Sequence, residues 1–530
     1  MKKINHIIGI LALGATLTSC VWDLNVTPID PNANTVDKVL KDKASLDQYI
    51  SGIYLGFATS GYYGPNGGAS ISGLDGGASQ YIRGLYHLQE LTTDESVCGW
   101  NDQTIKNFHY MNWTTDDTFI YAFYSRILMQ VSAANEFIRE VKKVDFDAAL
   151  QKRYIDEART IRAIAYYHAI DCFGNVPFAT DEDIVGVNPK QISRADLFAW
   201  LEGELKDILA NGALPERSAV EAGHIGMGAA KFLLAKLYLN AKVYTGTDRF
   251  ADCANVLKDL MDDGYSLHTK PNGTTFSAYQ DLFCADNDRC ADEIIFAVQQ
   301  DGLYTQSYGA TNYIIFASTG GEMAPFAMGI SSGWGGLRTT PEFYHKFSAN
   351  DARNLFYTAT QQEDIDDIGD FTHGIAFMKF RNVNSVDGEV PNKAKNDEGN
   401  WTGPSFVNTD FPMMRYADVL LMAAECQVRG AAVPGAIDGF NAVRARAGLN
   451  AIANPTLQDI LDERARELYQ ECWRRSDLIR FGLFTSGDYL WQWKGNVFEG
   501  RAVDAGRSLF PIPDSDLLAN TKLQQNEYYK

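Results

Sequence analysis

Phe411-Pro412-Met413-Met414-Arg415-Tyr416-Ala417-Asp418-Val419-Leu420-Leu421-Met422-Ala423-Ala424-Glu425 opens the block around which the chain is organised. Met414, Ala417, Leu421, Ala424 and Val428 recur at three- and four-residue steps, the spacing of one helix face. Gly430 and Pro434 stop that helix and start a second, with Ile437, Phe440, Val443 and Ala447 on its stripe and Gly448 at its end. Thr456-Leu457-Gln458-Asp459 is a capping-box opening for a third. On that one Leu461, Ala465, Leu468, Cys472 and Ile479 are expected to share a face. Small Ala residues beside large Leu, Tyr and Phe let helices pack closely, as in tetratricopeptide arrays. By itself this pattern describes a helical scaffold with no chemistry of its own.

Working outward, the rest of the 530-residue chain divides by pattern. Lys38–Phe57, Phe119–Val141, Asp147–Asp171, Ser193–Ala210, Gly226–Tyr244 and Phe250–Asp262 read as helices. Gly56–Gly77, with seven glycines after Gly56, lacks the Gly-Lys-Ser/Thr of a phosphate cradle and reads as a long surface loop. Tyr265–Thr409 has no long helical period and carries β-like runs at Glu293–Val298 and Tyr313–Phe316. The expected class is therefore mainly α, with tetratricopeptide-like helical pairs embracing an irregular, loop-rich subdomain. The expected divisions are a signal peptide over 1–19, a tether over 20–35, an N-terminal helical domain over 36–264, an inserted subdomain over 265–410, and C-terminal helices and tail over 411–530.

At the N-terminus Lys2 and Lys3 precede an apolar stretch, Ile7–Leu17, and then Leu17-Thr18-Ser19-Cys20. Small residues before a Cys in that place are what bacterial lipoprotein processing recognises, so Cys20 is the expected lipidation site. Acyl chains there supply about 0.8 kcal/mol of membrane affinity per buried CH₂. Elsewhere no run of eighteen apolar residues exists. The net charge of −20 disfavours nucleic acid or an anionic membrane surface as a partner. Apart from Cys20, seven cysteines remain without CxxC spacing, which argues against a disulfide framework or a zinc site; Cys284 and Cys290 are the candidates for a pair.

Catalytic patterns are weak. Gly329-Ile330-Ser331-Ser332-Gly333 matches a nucleophile elbow but has Pro325 before it and Trp334-Gly335-Gly336 after it, where a strand and a helix are needed. The eight His residues show no His-Glu-x-x-His spacing. Asp94–Glu95 has the residue types of a glycosidase pair, but adjacent acids arise by chance in so acidic a chain. Asp286-Asn287-Asp288 is a fragment of a Ca²⁺ loop without the remainder. No enzyme and no cofactor is expected, with a structural Ca²⁺ left unsupported. Aromatics on glycine-flexed loops are the stronger signal: Trp100 in Gly99-Trp100-Asn101-Asp102-Gln103, Tyr308 before Gly309, and Trp334 in Gly333-Trp334-Gly335. Such rings stack on the C–H faces of sugars at about 0.5–1.5 kcal/mol each beyond area burial. The plain alternative for each is a plug that fixes its loop to the core.

The run Arg415–Glu425, Asn441-Ala442-Val443-Arg444-Ala445-Arg446-Ala447-Gly448-Leu449, Glu463-Arg464-Ala465-Arg466-Glu467-Leu468, Arg474-Arg475-Ser476-Asp477-Leu478-Ile479-Arg480-Phe481-Gly482 and Leu509-Phe510-Pro511-Ile512-Pro513 resemble, in this order, the RagB/SusD family. That resemblance implies a non-catalytic, lipid-anchored glycan binder of the outer membrane, facing outward, partnered with a SusC-like TonB-dependent β-barrel transporter. Within the family the stretches Asn25–Pro31, Asp75–Arg83, Leu91–Glu95 and Asp488–Gly495 run parallel to its starch-binding member. The implied ligand is an α-1,4-glucan such as starch or a malto-oligosaccharide. The implied contacts are an aromatic arc of Trp100, Tyr308 and Trp334 with Asp75, Arg83 and Asn101, the last position leaving Asp102 or Gln103 open. A binder of another glycan or of peptides, and a surface glycoside hydrolase, are the alternatives.

Overall fold

The computed structural model describes Leu40, residues 42–102 and residues 104–530. Cys20, the signal peptide, the tether and Gln103 lie outside the described residues. The helices form a continuous stack. Thr118–Val141 packs on Ala148–Cys172, then come Arg194–Asn211, Met227–Leu239 and Phe250–Met261 in turn. From Phe250–Met261 the stack passes directly to Tyr416–Val428, which packs on Ala436–Arg446 and Leu457–Leu468. The residues between Met261 and Tyr416 are thus looped out of the stack. Close approach is possible because Ala229, Ala230, Ala235, Ala417, Ala423 and Ala424 are fully buried. No described helix is long and apolar enough to cross a membrane.

Capping follows the sequence. The Asp459 amide donates to Thr456 Oγ1 (3.2 Å) while the Thr456 amide donates to Asp459 Oδ2 (2.7 Å), a closed capping box. Asp117 Oδ1 accepts from the Phe119 and Ile120 amides at 2.9 and 3.0 Å.

Four expectations about elements are corrected. Phe411–Arg415 is a strand, antiparallel to Ile294–Val298, and the helix starts only at Tyr416; Met414 faces a sheet partner instead of a helix stripe. Tyr313–Phe316 belongs to a helix, Ala310–Ser318. The stretch 226–244 is broken at Asn240 into Met227–Leu239 and Ala241–Thr245. The third C-terminal helix ends at Leu468, and a separate one runs over Arg474–Arg480. Gln470 and Cys472 between them have φ of 61° and 67°. Distant carboxylates hold that break open: Glu95 accepts from the Gln470 amide (2.6 Å) and Glu90 from the Trp473 amide (3.0 Å). These acceptors satisfy donors that a continuous helix would have satisfied itself.

A four-stranded antiparallel sheet, in the order Val97–Cys98, Leu337–Thr339, Ile375–Phe377, Phe356–Tyr357, ties the N-terminal region to the looped-out residues. Its first pairing sets Cys98 opposite Leu337. The chain leaving Cys98 and the chain arriving at Leu337 therefore occupy the same end of the sheet.

The charged residues of the C-terminal block are internal. Arg415 pairs with Glu293 (2.6 Å), Glu467 (3.0 Å) and Glu471 (2.7 Å). Arg353 pairs with Asp351 (2.9 Å), Glu463 (2.7 Å) and Glu467 (3.1 Å), and Arg446 joins Glu293 to Glu467. A second cluster links Arg464 to Asp418 (2.6 Å) and Asp477 (2.7 Å), with Lys236 on Asp418 (2.6 Å). Unpairing one member of such a cluster costs about 3–5 kcal/mol. The first cluster locks the stack to the looped-out segment through Glu293 and Arg353, and the second joins the Met227–Leu239 helix to the C-terminal helices. Cys284 and Cys290 are both free and buried, so no disulfide joins them.

Candidate functional site

Trp100 lies two residues beyond Cys98, and Trp334 three residues before Leu337, so the strand register carries both to one place. The ladder continues with the Gly99 amide donating to the Gly336 carbonyl (3.0 Å), and Trp100 Nε1 donates to the Gly335 carbonyl (2.8 Å). Gly336 has φ of +105°, and a Cβ there would stand 2.3 Å from Trp100 Nε1. Only glycine fits.

The Ala310–Ser318 helix organises the other rings. Tyr308 stands just before its N-terminus. At its C-terminal end the Phe316 carbonyl accepts from the Trp334 amide (2.8 Å). From the same helix Phe316 backs Trp334 (centroids 4.8 Å) and Tyr313 meets Trp100 edge-on (5.8 Å). Gln80 anchors the helix start: its Oε1 accepts from the Ala310 amide (3.0 Å) and from the Arg83 amide (2.8 Å), so one side chain caps two helices. Ala310 takes φ of 48°, a strained left-handed conformation for alanine.

The result is a row of rings. Trp100 and Trp334 are 6.2 Å apart and tilted by 58°; Trp334 and Tyr308 are 6.0 Å apart and tilted by 57°. All three are half-buried, and all line one open cavity of about 570 Å³ together with Asp75, Arg83 and Asp102. Arg83 is 6% exposed; its guanidinium lies over Tyr313 (4.7 Å) and Trp100 (5.4 Å), while Nη1 donates to the Gly77 carbonyl (2.9 Å). Burial pulls its pKa below the usual arginine value. Asp75 is exposed, with Oδ1 accepting from the Ala78 amide (2.7 Å). Tyr308 donates its hydroxyl to Asn66 (2.9 Å). Asn101 is exposed but is not on the cavity wall: its Oδ1 accepts from Lys106 Nζ (2.9 Å), and Asp102 takes the wall position.

Sequence reading missed Tyr121, which lines the cavity from the Thr118–Val141 helix, and the supporting rings Tyr313 and Phe316. Only the misread helix could have signalled the latter pair.

The arrangement has the features of a binding surface: flat rings for apolar sugar faces, with a few polar groups beside them, Asp75 near Tyr308 and Arg83 over Trp100. The catalytic-looking patterns are engaged elsewhere. Asp94 receives Arg474 at 2.8 and 2.7 Å; burial opposes its charge, but Arg474 outweighs this and lowers its pKa. Glu95 holds the Gln470 amide, and burial drives its pKa up, as it drives Glu90 to about 8. Ser331 is followed by an irregular segment and the Leu337–Thr339 strand, not a helix. Asp286 accepts from the Ser385 amide (2.6 Å), and Asn287 donates to the Leu282 and Asp410 carbonyls.

Residues 356–529 match the model described as the SusD family. The chain is 29% identical to the starch-binding protein SusD of Bacteroides thetaiotaomicron, over 98% of each chain. It is 24% identical to SusD-like protein P2 of Formosa agariphila, over 99% of each. Among solved structures, surface glycan-binding protein A from Bacteroides uniformis superposes with a TM-score of 0.69 at 21% identity, covering 92% of this chain and 100% of that one. The corresponding protein from Bacteroides thetaiotaomicron, in complex with laminarihexaose, gives 0.68 at 19% identity, covering 91% and 99%. The likeness in fold spans nearly the whole chain, and the non-catalytic expectation accords with relatives named as binding proteins.

Proposed function

We propose that this SusD-family chain is a non-catalytic cell-surface protein that captures starch and malto-oligosaccharides. One observation carries the reading: rings from positions 100, 308 and 334, far apart in sequence, adjoin around one cavity at successive tilts near 58°. Neighbouring rings set at an angle offer stacking planes that are not parallel, which suits a ligand that itself curves, as an α-1,4-glucan does. Stacking would supply most of the affinity, with Asp75, Arg83 and Asp102 binding hydroxyls. Affinity would be modest, because capture must be followed by release.

In this reading a lipid on Cys20 holds the protein to the outer membrane, facing outward. It would cover a SusC-like TonB-dependent β-barrel and pass its ligand down for import. The likeness to the starch-binding protein along 98% of both chains favours α-glucan over other glycans or peptides. Isothermal calorimetry against maltoheptaose, a cyclodextrin, pullulan, laminarihexaose, inulin and xylan tests it. Heat with the first three and none with the last three is expected; no heat with any α-glucan overturns the starch reading. Incubation with amylose should release no reducing ends.

A further inference from the structure

The cavity that holds the aromatic row has a second wall, built on a helix. Thr118, Phe119, Tyr121 and Ala122 line it from the first two turns of Thr118–Val141. Phe119 and Ala122 are buried, Thr118 is exposed and Tyr121 is half-buried. This wall is firmly placed. Asp117 caps the helix start. The helix also packs on Tyr81–Gln89, which carries Arg83, so closely that a Cβ on Gly84 would stand 2.9 Å from Phe123.

Tyr121 differs from the three rings of the row in having no partner of its own. The Tyr308 hydroxyl is engaged by Asn66, and the Trp100 indole N–H by the Gly335 carbonyl. Trp100 and Trp334 pack against the hydrophobic core, and Trp334 also meets Tyr308. Among the described residues nothing hydrogen-bonds to the Tyr121 hydroxyl, no other ring stacks on its ring, and it takes no part in the core. Three residues on, Tyr124 does have a partner: its hydroxyl donates to Asp516 (2.5 Å). An unused phenol on a cavity wall can both donate to and accept from a sugar hydroxyl. Tyrosine has only two side-chain torsions to immobilise, so such a contact costs little entropy.

We propose that Tyr121 is a ligand-binding residue of this site, its hydroxyl hydrogen-bonded to a hydroxyl of the bound glucan. This rests on the glycan reading above. The row of rings binds apolar sugar faces, which many glycans share. A polar contact from a fixed second wall makes binding depend on where the sugar hydroxyls stand.

The test is calorimetry with maltoheptaose on the parent, Tyr121→Phe and Tyr121→Ala, with Trp334→Ala and Tyr124→Phe as controls. Circular dichroism checks the fold of each variant. Tyr121→Phe keeps the ring and removes only the hydroxyl, and should lose about 3- to 10-fold in affinity. Tyr121→Ala should lose at least as much. Tyr124→Phe, on the same helix but off the cavity wall, should stay within twofold of the parent. Parent-like affinity in Tyr121→Phe, while Trp334→Ala loses it, overturns the contact and leaves the site reading standing. A similar loss in Tyr124→Phe also overturns it, since both losses would then report helix packing. If the parent does not bind maltoheptaose, the α-glucan reading itself falls, and this contact with it.

Discussion

Glu467 is the carboxylate on which the internal ion cluster converges, and its replacement by glutamine gives a sharp test. It is fully buried and touches Arg415 at 3.0 Å, Arg353 at 3.1 Å and Arg446. Burial works against its charge, but Arg446, Arg415 and Arg353 outweigh this and hold its pKa at about 2. The ordinary glutamate value of 4.5 lies 2.5 units higher. At 1.36 kcal/mol per unit, ionised Glu467 contributes about 3 kcal/mol to stability. Because the folded pKa is depressed, that contribution is present above the unfolded value and disappears as pH falls from about 4.5 to about 2. Glu467→Gln keeps the shape but leaves three guanidinium groups sharing fewer negative charges, and the expected loss at pH 7 is about 3–5 kcal/mol. Urea unfolding followed by tryptophan fluorescence should show a lowered midpoint with an unchanged slope. The gap between parent and variant should shrink as pH is lowered toward 3. A loss under about 1 kcal/mol at pH 7, or a gap that does not change with pH, would refute the reasoning.

Three further outcomes are expected. Trp334→Ala should weaken maltoheptaose by about 10- to 100-fold, from lost stacking and lost buried ring area, with the far-ultraviolet circular dichroism unchanged. Gly336→Ala should displace Trp100, because the new Cβ would overlap Nε1 and the residue would sit at φ of +105°; reduced ligand affinity in calorimetry checks it, and parent-like affinity would show that the indole is free to shift. Cys98, Cys172, Cys253, Cys284, Cys290, Cys426 and Cys472 are all buried and free, so a thiol reagent should label them only after denaturation.

Much of the scaffold was legible in the residues. Helix stripes such as Leu421, Ala424 and Val428, and the Thr456–Asp459 box, depend on local spacing, and spacing survives folding. The charged residues Arg415, Arg446, Glu463, Glu467 and Arg474 were legible as a signature, but not as a buried lattice. Their partners Glu293, Arg353 and Asp94 lie far away in the chain. Reading failed where a distant group overruled local preference. Glu90 and Glu95 hold open the break after Leu468, and the Ile294–Val298 strand recruits Phe411–Arg415 out of a helical pattern.

The site divides in the same way. Sequence by itself determined which rings stand on glycine-rich loops, because ring type and backbone freedom are properties of single residues. Whether those rings meet was decided only in three dimensions. The Cys98–Leu337 register carries Trp100 to Trp334, and the Ala310–Ser318 helix, which its apolar run disguised as a strand, sets Tyr308 at one end and Trp334 at the other. Pairing register and helix placement are fixed by contacts between residues more than two hundred positions apart, and no local pattern records them.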